Sequence, residues 1–333
     1  MLTGGDVAGR VLLTGVGGQV GGAVVPLLKR FAEERGLEVV APVRGELDLS
    51  DAAAVRRYVR EVVPRWIVNP AAYTAVDKAE KEPELAYAIN AEAVKVLGEE
   101  AKALGAAVIS FSTDYVFPGD GERPWVETDA TGPLGVYGAS KLAGERALAE
   151  SGAAYFVFRT SWVYGATGNN FLRTILRFAR EREEMKVVAD QHGAPTWSES
   201  LARLVVHTMA RMEDATCKTT SQRRDMGHPD SSRSLAEAVR EVGGVYHACD
   251  AGETTWFGFA EEFVRLAKVA EPEQRFARLL PIATSDYPTP AKRPLNSRMS
   301  CERLRAQLGF TMPKWEDSVA QVMAAIATGS TAS

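Results

Sequence analysis

Residues 10–21, RVLLTGVGGQVG, decide the fold. A short apolar run, typical of a buried parallel strand, ends at Thr14, and glycines follow at positions 15, 18 and 21 as a helical pattern begins. Glycines here permit a tight turn and let a pyrophosphate approach the backbone at a helix N-terminus. The stretch therefore predicts the start of a dinucleotide-binding α/β fold with Gly15, Gly18 and Gly21 at the cofactor. In the alternative interpretation, the glycines only allow a helix to pack on a strand.

The same alternation of short β-branched runs and longer amphipathic stretches continues through the first half of the chain. It predicts strands at residues 10–14, 37–43, 66–69, 106–112, 154–159 and 185–189, and helices at 51–63, 84–104 and 136–150. Because parallel strands are joined by right-handed crossovers, the pattern predicts a doubly wound Rossmann-type parallel sheet with helices on both faces.

The pattern loosens after about residue 160, which divides the chain into two predicted parts. Residues 1–160 mainly form the NAD(P)-binding Rossmann domain, and residues 161–333 mainly form a smaller C-terminal substrate-binding lobe with interleaved returns to the sheet. Residues 213–234, EDATCKTTSQRRDMGHPDSSRS, are polar and rich in turn formers, and they predict a mobile surface loop.

Composition excludes several classes of protein. Of the 333 residues 46% are hydrophobic and 25% charged, as in a globular protein, and a net charge of -4 argues against a nucleic-acid partner. The uncharged run at 11–28 contains five Gly and a Pro, so we interpret it as strand, turn and helix and expect no membrane partner. No secretory signal is evident and the three cysteines are far apart in sequence, so we expect reduced thiols and a cytoplasmic location. The scattered histidines predict no zinc site.

The end of the second predicted strand bears on the choice of cofactor. NAD-binding versions of this fold place an acid there to hold the ribose 2′-hydroxyl, but here the residues are Ala41, Pro42, Val43 and Arg44. A cation suits a 2′-phosphate, so Arg44 favours NADPH; a solvated surface arginine would leave NADH open. The next residues, Asp48 and Leu49, could flank the adenine or belong to a helix N-cap.

A tyrosine and a lysine at the start of the helix at 136–150 are the candidate catalytic groups. Tyr137 and Lys141 are four residues apart, hence on one helical face, and Thr113 ends the preceding strand. Reduction of a carbonyl by a nicotinamide needs a proton donor at the oxygen. We hypothesise that Tyr137 is the acid, that Lys141 favours the phenolate and holds the nicotinamide ribose, and that Thr113 hydrogen-bonds the carbonyl. The alternative is an exposed Tyr and Lys on a surface helix.

Together these elements resemble the extended short-chain dehydrogenase/reductases and, over nearly the whole chain, the dTDP-4-dehydrorhamnose reductase family within them. The resemblance rests on five strings: VNPAAYTAVDKAEKEPELAYAINA from Val68, STDYVFPGDGERPWVETDATGPLGVYGASKLAGE from Ser112, FRTSWVYGATGNNF from Phe158, DQHGAPT from Asp190 and YPTPAKRPLNSR from Tyr287. Strings of this length are more specific than any one motif. Pro70 departs from the family, which usually has Ala in that position.

The resemblance implies an NADPH-dependent reductase that acts on the C4 keto group of dTDP-4-dehydro-L-rhamnose in dTDP-rhamnose biosynthesis. It implies roles for three groups of residues: at the cofactor Gly18, Gln19, Val20, Gly21, Ala71, Ala72 and Tyr73; in catalysis Thr113, Tyr137 and Lys141; at the sugar nucleotide Asp114 and Trp162. Two phosphates on such a substrate suit the cations Lys292, Arg293 and Arg298, of which Arg293 is the first choice; a solvated basic loop is the alternative.

Other properties stay open at this stage. Some members of the family are described as metal-linked dimers, so the resemblance alone implies Mg²⁺ and a homodimer, but the sequence shows no carboxylate cluster that predicts a metal site. Two other functions remain: an extended short-chain reductase or epimerase for another nucleotide sugar, and a non-catalytic subunit like the regulatory subunit of methionine adenosyltransferase. An intact set of Thr113, Tyr137 and Lys141 favours an enzyme.

Overall fold

The computed structural model describes residues 9–224 and 233–328. The strands are β1 (Gly9–Leu13), β2 (Leu37–Val40), β3 (Trp66–Asn69), β4 (Ala107–Thr113), β5 (Ala154–Thr160), β6 (Val163–Tyr164), β7 (Glu184–Val188), β8 (His192–Gly193), β9 (Thr196–Trp197), β10 (Gly244–His247), β11 (Thr254–Thr255) and β12 (Arg278–Ile282). The helices are α1 (Gln19–Arg35), α2 (Ala52–Val62), α3 (Val76–Ala79), α4 (Pro83–Tyr87), α5 (Ala93–Leu104), α6 (Val136–Glu150), α7 (Phe171–Glu181), α8 (Ser198–Arg224), α9 (Leu235–Val242), α10 (Trp256–Ala270) and α11 (Trp315–Ala327), with a π-helical turn at Ala88–Glu92 between α4 and α5.

The predicted doubly wound Rossmann-type sheet is confirmed. Six strands lie in the order β10-β5-β4-β3-β1-β2, and every pairing among them is parallel. The order of the strands along the chain reverses at β1, which has β3 and β4 on one side and β2 on the other. Carboxyl ends of the strands therefore meet along one edge, where open α/β sheets bind their ligands.

Successive side chains of β1 point to opposite faces of the sheet and show how each face is covered. Val11 and Leu13 pack into an apolar cluster with α1, α8 and α9, whereas Leu12 packs into a second cluster with α2, α5 and α6. All three side chains are fully buried. A strand covered on both faces must be apolar throughout, which is why the run at 11–13 carries no polar residue.

The sixth strand of the main sheet differs from the prediction. Residues 185–189 do form a strand, β7, but it pairs with β12 in a separate two-stranded sheet. The main sheet is completed by β10, which lies parallel to β5 in the register Gly244 to Phe156. Periodicity identifies a strand but does not identify its neighbour, and only the packing of α9 beside β5 brings β10 to this edge.

The prediction of a mobile loop at residues 213–234 is wrong for its first half. Helix α8 continues to Arg224, and Ser234 caps α9 through a hydrogen bond from the backbone N–H of Glu237; residues 225–232 lie outside the described residues. The physical reason lies in Glu213, whose carboxylate accepts hydrogen bonds from Arg65 at 2.9 and 2.8 Å and from the indole of Trp66 at 2.8 Å. The polar side chain of Glu213 therefore belongs to a helix that is hydrogen-bonded to the start of β3, not to a loop.

Two cysteines that are far apart in sequence approach each other in the lobe. The sulfurs of Cys249 and Cys301 are 3.6 Å apart, and both residues are free thiols. Within residues 9–224 and 233–328, no helix combines the length and apolar character needed to cross a membrane. The same residues contain no group of three or more His, Cys, Asp or Glu side chains that could hold a metal ion.

Glu213→Ala should destabilise the protein by about 2–4 kcal/mol, because the buried Trp66 indole and the Arg65 guanidinium lose their acceptor. Burial would raise the pKa of Glu213, but the hydrogen bonds from Arg65 and Trp66 outweigh it and lower that pKa. The stabilisation is therefore present at neutral pH and lost as pH falls through the folded-state pKa. Urea unfolding at pH 7 and pH 4 measures both effects.

Asp214→Asn is the matched control, since Asp214 makes a more exposed ion pair with Arg35 on the same helix. Its free energy of unfolding should change by less than about 1 kcal/mol. Equal losses of unfolding free energy in the two variants would contradict the stabilising role assigned to the hydrogen bonds that Glu213 accepts.

Candidate active site

A cleft of about 770 Å³ opens at the carboxyl edge of the main sheet. Its walls come from the glycine turn, the ends of β2 to β5, the start of α6 and the start of α10. Among the residues that line it are Gly15, Gly18, Gln19, Val20, Arg44, Asp48, Leu49, Ala71, Ala72, Thr113, Asp114, Tyr137, Lys141, Trp162 and Trp256. The structure thus brings most of the residues predicted from the sequence to one cavity.

Close backbone contacts define the glycine turn between β1 and α1. Gly15 has a φ of 63°, and a Cβ there would lie 2.7 Å from backbone atoms of Ala71. A Cβ on Gly21 would lie 2.1 Å from the carbonyl oxygen of Gly15. No side chain caps α1 at Gly18, and a Cβ on Gly17 would meet nothing within 4 Å. The first N–H groups of α1 therefore remain for an anion that approaches through open space, and the turn fits a dinucleotide diphosphate.

Two residues that were predicted at the cofactor lie outside the cleft lining. Gly21 is buried beneath the turn and acts by allowing its shape. The backbone N–H of Tyr73 donates to Asn90 at 2.8 Å, and its phenol donates to Glu82 at 2.7 Å, so its side chain is engaged with α4. Ala71 and Ala72, by contrast, line the cleft.

The segment after β2 presents the charges that would face an adenosine. Arg44 is exposed and lines the cleft. The Asp48 carboxylate accepts hydrogen bonds from the backbone and hydroxyl of Ser50 at 2.9 and 2.8 Å, which with Arg44 hold its pKa below the ordinary value. Asp51, and not Asp48, is the N-cap of α2. The side chain of Asp48 therefore shapes the loop beside Leu49.

The three candidate catalytic residues are neighbours at the start of α6. Thr113 ends β4, while Tyr137 and Lys141 occupy successive turns of α6 and line the same cleft. Gly138 permits this arrangement, since a Cβ there would lie 2.2 Å from the carbonyl oxygen of Tyr115. The alternative of an exposed pair on a surface helix is excluded because Lys141 is buried.

Burial controls the protonation of these groups. It raises the pKa of Tyr137 to about 12, against a hydrogen bond with Thr113 that lowers it. It lowers the pKa of Lys141 to about 8, while the charge of Glu145 acts to raise it. The expectation that Lys141 lowers the pKa of Tyr137 is not met here, because desolvation is the larger effect. A phenol that stays protonated at pH 7 is nevertheless the form that a general acid requires.

Asp114, which the resemblance places at the sugar nucleotide, has a carboxylate oxygen without a partner in the part of the chain that the structure describes. Its Oδ1 accepts a hydrogen bond from Thr113 Oγ1 at 2.9 Å, and its buried Oδ2 has no partner among the described residues. Burial raises the pKa of this carboxyl to about 6, although the nearby Ser297 and the hydrogen bond from Thr113 act in the opposite direction. Asp114 lines the cleft, so a hydroxyl in the cleft could donate to the free oxygen.

An aromatic pair forms the opposite side of the cleft. Trp162 has a φ of 48°, a left-handed conformation that is rare for a bulky residue, and its ring stacks on Trp256 at 4.0 Å between centroids. A Cβ on Gly193 would lie 2.8 Å from the Trp162 ring, which explains the glycine in DQHGAPT. Sequence reasoning missed Trp256, since an aromatic residue at the start of an amphipathic helix carries no distinguishing signal.

The predicted cationic clamp is not assembled as a cluster on the cleft. Arg293 donates to Asp77 at 2.6 Å and its Nη1 atom is buried without a partner among the described residues. Arg298 donates to Asn296 and to the carbonyl oxygen of Glu122 at 2.8 and 2.7 Å, and Lys292 is exposed. Arg293 lies outside the residues that line the cleft and stays a prediction as a phosphate contact, and Arg298 serves the local structure.

Comparison with known proteins identifies the family. The sequence profile of the RmlD substrate binding domain matches residues 9–222 and 226–328. The chain belongs to this family. A family member from Burkholderia thailandensis, dTDP-4-dehydrorhamnose reductase, is 43% identical over 313 residues, which cover 93% of this chain and 96% of that protein.

Solved structures agree with the family assignment. A dTDP-4-dehydrorhamnose reductase from Clostridium acetobutylicum superposes with a TM-score of 0.80 at 31% identity and covers 95% of this chain and 98% of its own. A second, from Bacillus anthracis and in complex with NADP, gives a TM-score of 0.76 at 32% identity over 95% of this chain and 99% of its own. The whole fold, including both sides of the cleft, is thus shared with these enzymes.

Gly21→Ala should weaken NADPH binding at least about tenfold, because the added methyl group would overlap the carbonyl oxygen of Gly15 and displace the turn. Gly22→Ala is the matched control on the next residue of α1, since a Cβ there would lie 3.5 Å from its nearest neighbour. Fluorescence titration with NADPH measures both affinities. Equal affinities would show that the close contact does not shape the site.

Proposed function

We propose that this protein is an NADPH-dependent reductase of the C4 keto group of dTDP-4-dehydro-L-rhamnose, and that it forms dTDP-L-rhamnose. The observation that carries the proposal is the set of Thr113, Tyr137 and Lys141 at one end of a dinucleotide-sized cleft. Relatives that match the chain almost end to end are dTDP-4-dehydrorhamnose reductases, which supports the same substrate.

The chain's own residues account for the proton chemistry. Bound NADPH would supply the hydride. The glycine turn would hold this cofactor at its diphosphate, and Lys141 would hold it at its nicotinamide ribose. Tyr137, protonated at neutral pH, donates its proton to the carbonyl oxygen as that oxygen becomes negative, and Thr113 hydrogen-bonds the same oxygen. The nearby ammonium of Lys141 stabilises the phenolate that remains.

Residues beyond the catalytic set would hold the sugar nucleotide. Asp114 offers its unpartnered carboxylate oxygen to a sugar hydroxyl, and Trp162 offers an apolar ring face that Trp256 keeps in place. Arg293 has an unpaired N–H group for a phosphate oxygen of the diphosphate. We further propose a cytoplasmic homodimer, and we assign no residue to Mg²⁺.

Purified protein should oxidise NADPH rapidly when it is mixed with enzymatically generated dTDP-4-dehydro-L-rhamnose, as followed by loss of near-ultraviolet absorbance. Tyr137→Phe should lower kcat by about 10²–10⁴, because the general acid is lost while the ring is retained. Tyr155→Phe, which removes a half-buried hydroxyl from β5, is the control and should leave the rate unchanged.

Two outcomes would overturn the proposal in different ways. Oxidation with a different nucleotide 4-ketosugar, and none with this one, would assign another substrate to the same acid. No oxidation with any of them, in protein shown to bind NADPH, would favour a non-catalytic role in which the fold holds a partner.

Arg44→Asp should lower the preference for NADPH over NADH at least about tenfold, because a charge-assisted hydrogen bond to the 2′-phosphate contributes roughly 1.5–3 kcal/mol. The ratio of kcat/KM for the two cofactors measures the preference. Arg57→Asp, which changes an exposed arginine of α2 outside the cleft lining, should leave the ratio as it is. An unchanged ratio in Arg44→Asp would show that Arg44 does not contact the 2′-phosphate.

A further inference from the structure

A buried ion pair lies directly behind the candidate catalytic lysine. Glu145 follows Lys141 by one turn of α6, and Arg159 on neighbouring β5 donates to the Glu145 carboxylate at 2.6 and 2.9 Å. The exposed fractions of Lys141, Glu145 and Arg159 are 5%, 7% and 4%. Three ionisable groups are thus buried together, although the proton transfer proposed above uses only the first.

A small cavity lies between Glu145 and the lysine. It has a volume of about 10 Å³, and its lining includes Lys141, Glu145, Asn90 and Ser110. This volume is roughly that of one water-sized probe, and the lining offers a water several hydrogen-bonding groups. Among the described residues no direct ion pair joins Lys141 to Glu145, so their interaction acts across this cavity.

The other groups around Lys141 do not replace Glu145 as a counter-charge. On the same helix lies Tyr137, which is neutral at pH 7. Asp114 and Tyr115 follow β4 beside Tyr137, whose ring centroid is 5.4 Å from that of Tyr115, and Asp114 acts on Tyr137 and not clearly on Lys141. The π-helical turn packed against α6 contributes the neutral amide of Asn90. Burial lowers the pKa of Lys141, and the one charge that acts clearly to raise it is that of Glu145.

We propose that Glu145, oriented by Arg159, is a positioning residue that keeps the ammonium of Lys141 charged at the active site. The inference deepens the proposed reductase function and rests on it. Arg159 fixes the carboxylate by a two-pronged contact, and it also draws part of the negative charge away from Lys141. Even so, the carboxylate of Glu145 supplies the attraction that a buried ammonium needs to remain protonated near neutral pH.

A purely structural role is the alternative, in which the ion pair only ties α6 to β5. Two variants separate the roles. Glu145→Gln removes the carboxylate and leaves Arg159 buried without its charged partner. In Glu145→Gln with Arg159→Gln, two amides of similar shape replace the pair, so much of the stability should return while the counter-charge of Lys141 stays absent.

The pKa of Lys141, read from ¹³C NMR of its ε-carbon in the full-length protein and assigned with Lys141→Arg, should fall by about one unit or more in Glu145→Gln. It should fall by a smaller amount in the double variant, because that variant also removes the positive charge of Arg159. The alkaline limb of the pH profile of kcat/KM should move to lower pH by a similar amount. Glu145→Asp, which retains the charge, should restore both values toward the wild type.

Glu100→Gln provides the matched control. Glu100 is also a buried glutamate held by arginines, Arg56 and Arg60, but on α5 outside the cleft. Its variant should lose stability without a change in the Lys141 titration. Wild-type titration of Lys141 in both Glu145 variants would overturn the inference. Because the NMR titration needs no substrate, it decides this point even if no nucleotide sugar is reduced.

Discussion

The structure depends on how closely the chain approaches itself where β1 meets α1. Gly15 lies against the backbone of Ala71, and Gly21 lies against the carbonyl of Gly15, so neither position has room for a Cβ. This contact lets α1 begin immediately after the strand and directs its N-terminus into the cleft. The position of the α1 N-terminus at the cleft, and with it the proposed diphosphate site, follows from this contact.

Burial at the other end of the cleft shifts the pKa values of the two candidate catalytic groups in opposite directions. It raises the pKa of the Tyr137 phenol and lowers that of the Lys141 ammonium, so both groups are driven toward their neutral forms. A useful site keeps the first effect and resists the second, because the acid must hold its proton and the cation must hold its charge. Glu145 and Arg159, which do not themselves line the cleft, are placed behind Lys141 to provide that resistance.

Local pattern was enough to predict the strands of the first half, the glycine turn and the convergence of Thr113, Tyr137 and Lys141, because these depend on periodicity and on the meeting of parallel strand ends. It was not enough where a partner decides the structure. The pairing of β10 with β5, the helical state of residues 213–224 and the stack of Trp256 on Trp162 each depend on contacts between distant segments. Long-range contacts of this kind leave no periodic signal in one sequence.

The late arrival of β10 has a consequence for how the chain folds during synthesis. Until Gly244–His247 leaves the ribosome, β5 is the outer strand of the sheet, with its backbone N–H and C=O groups unpaired on one side. An apolar edge of this kind is a template for wrong pairing with another nascent chain. Growth of the polypeptide through α8 and α9 therefore sets the length of the period in which this edge of the sheet stays open to wrong pairing.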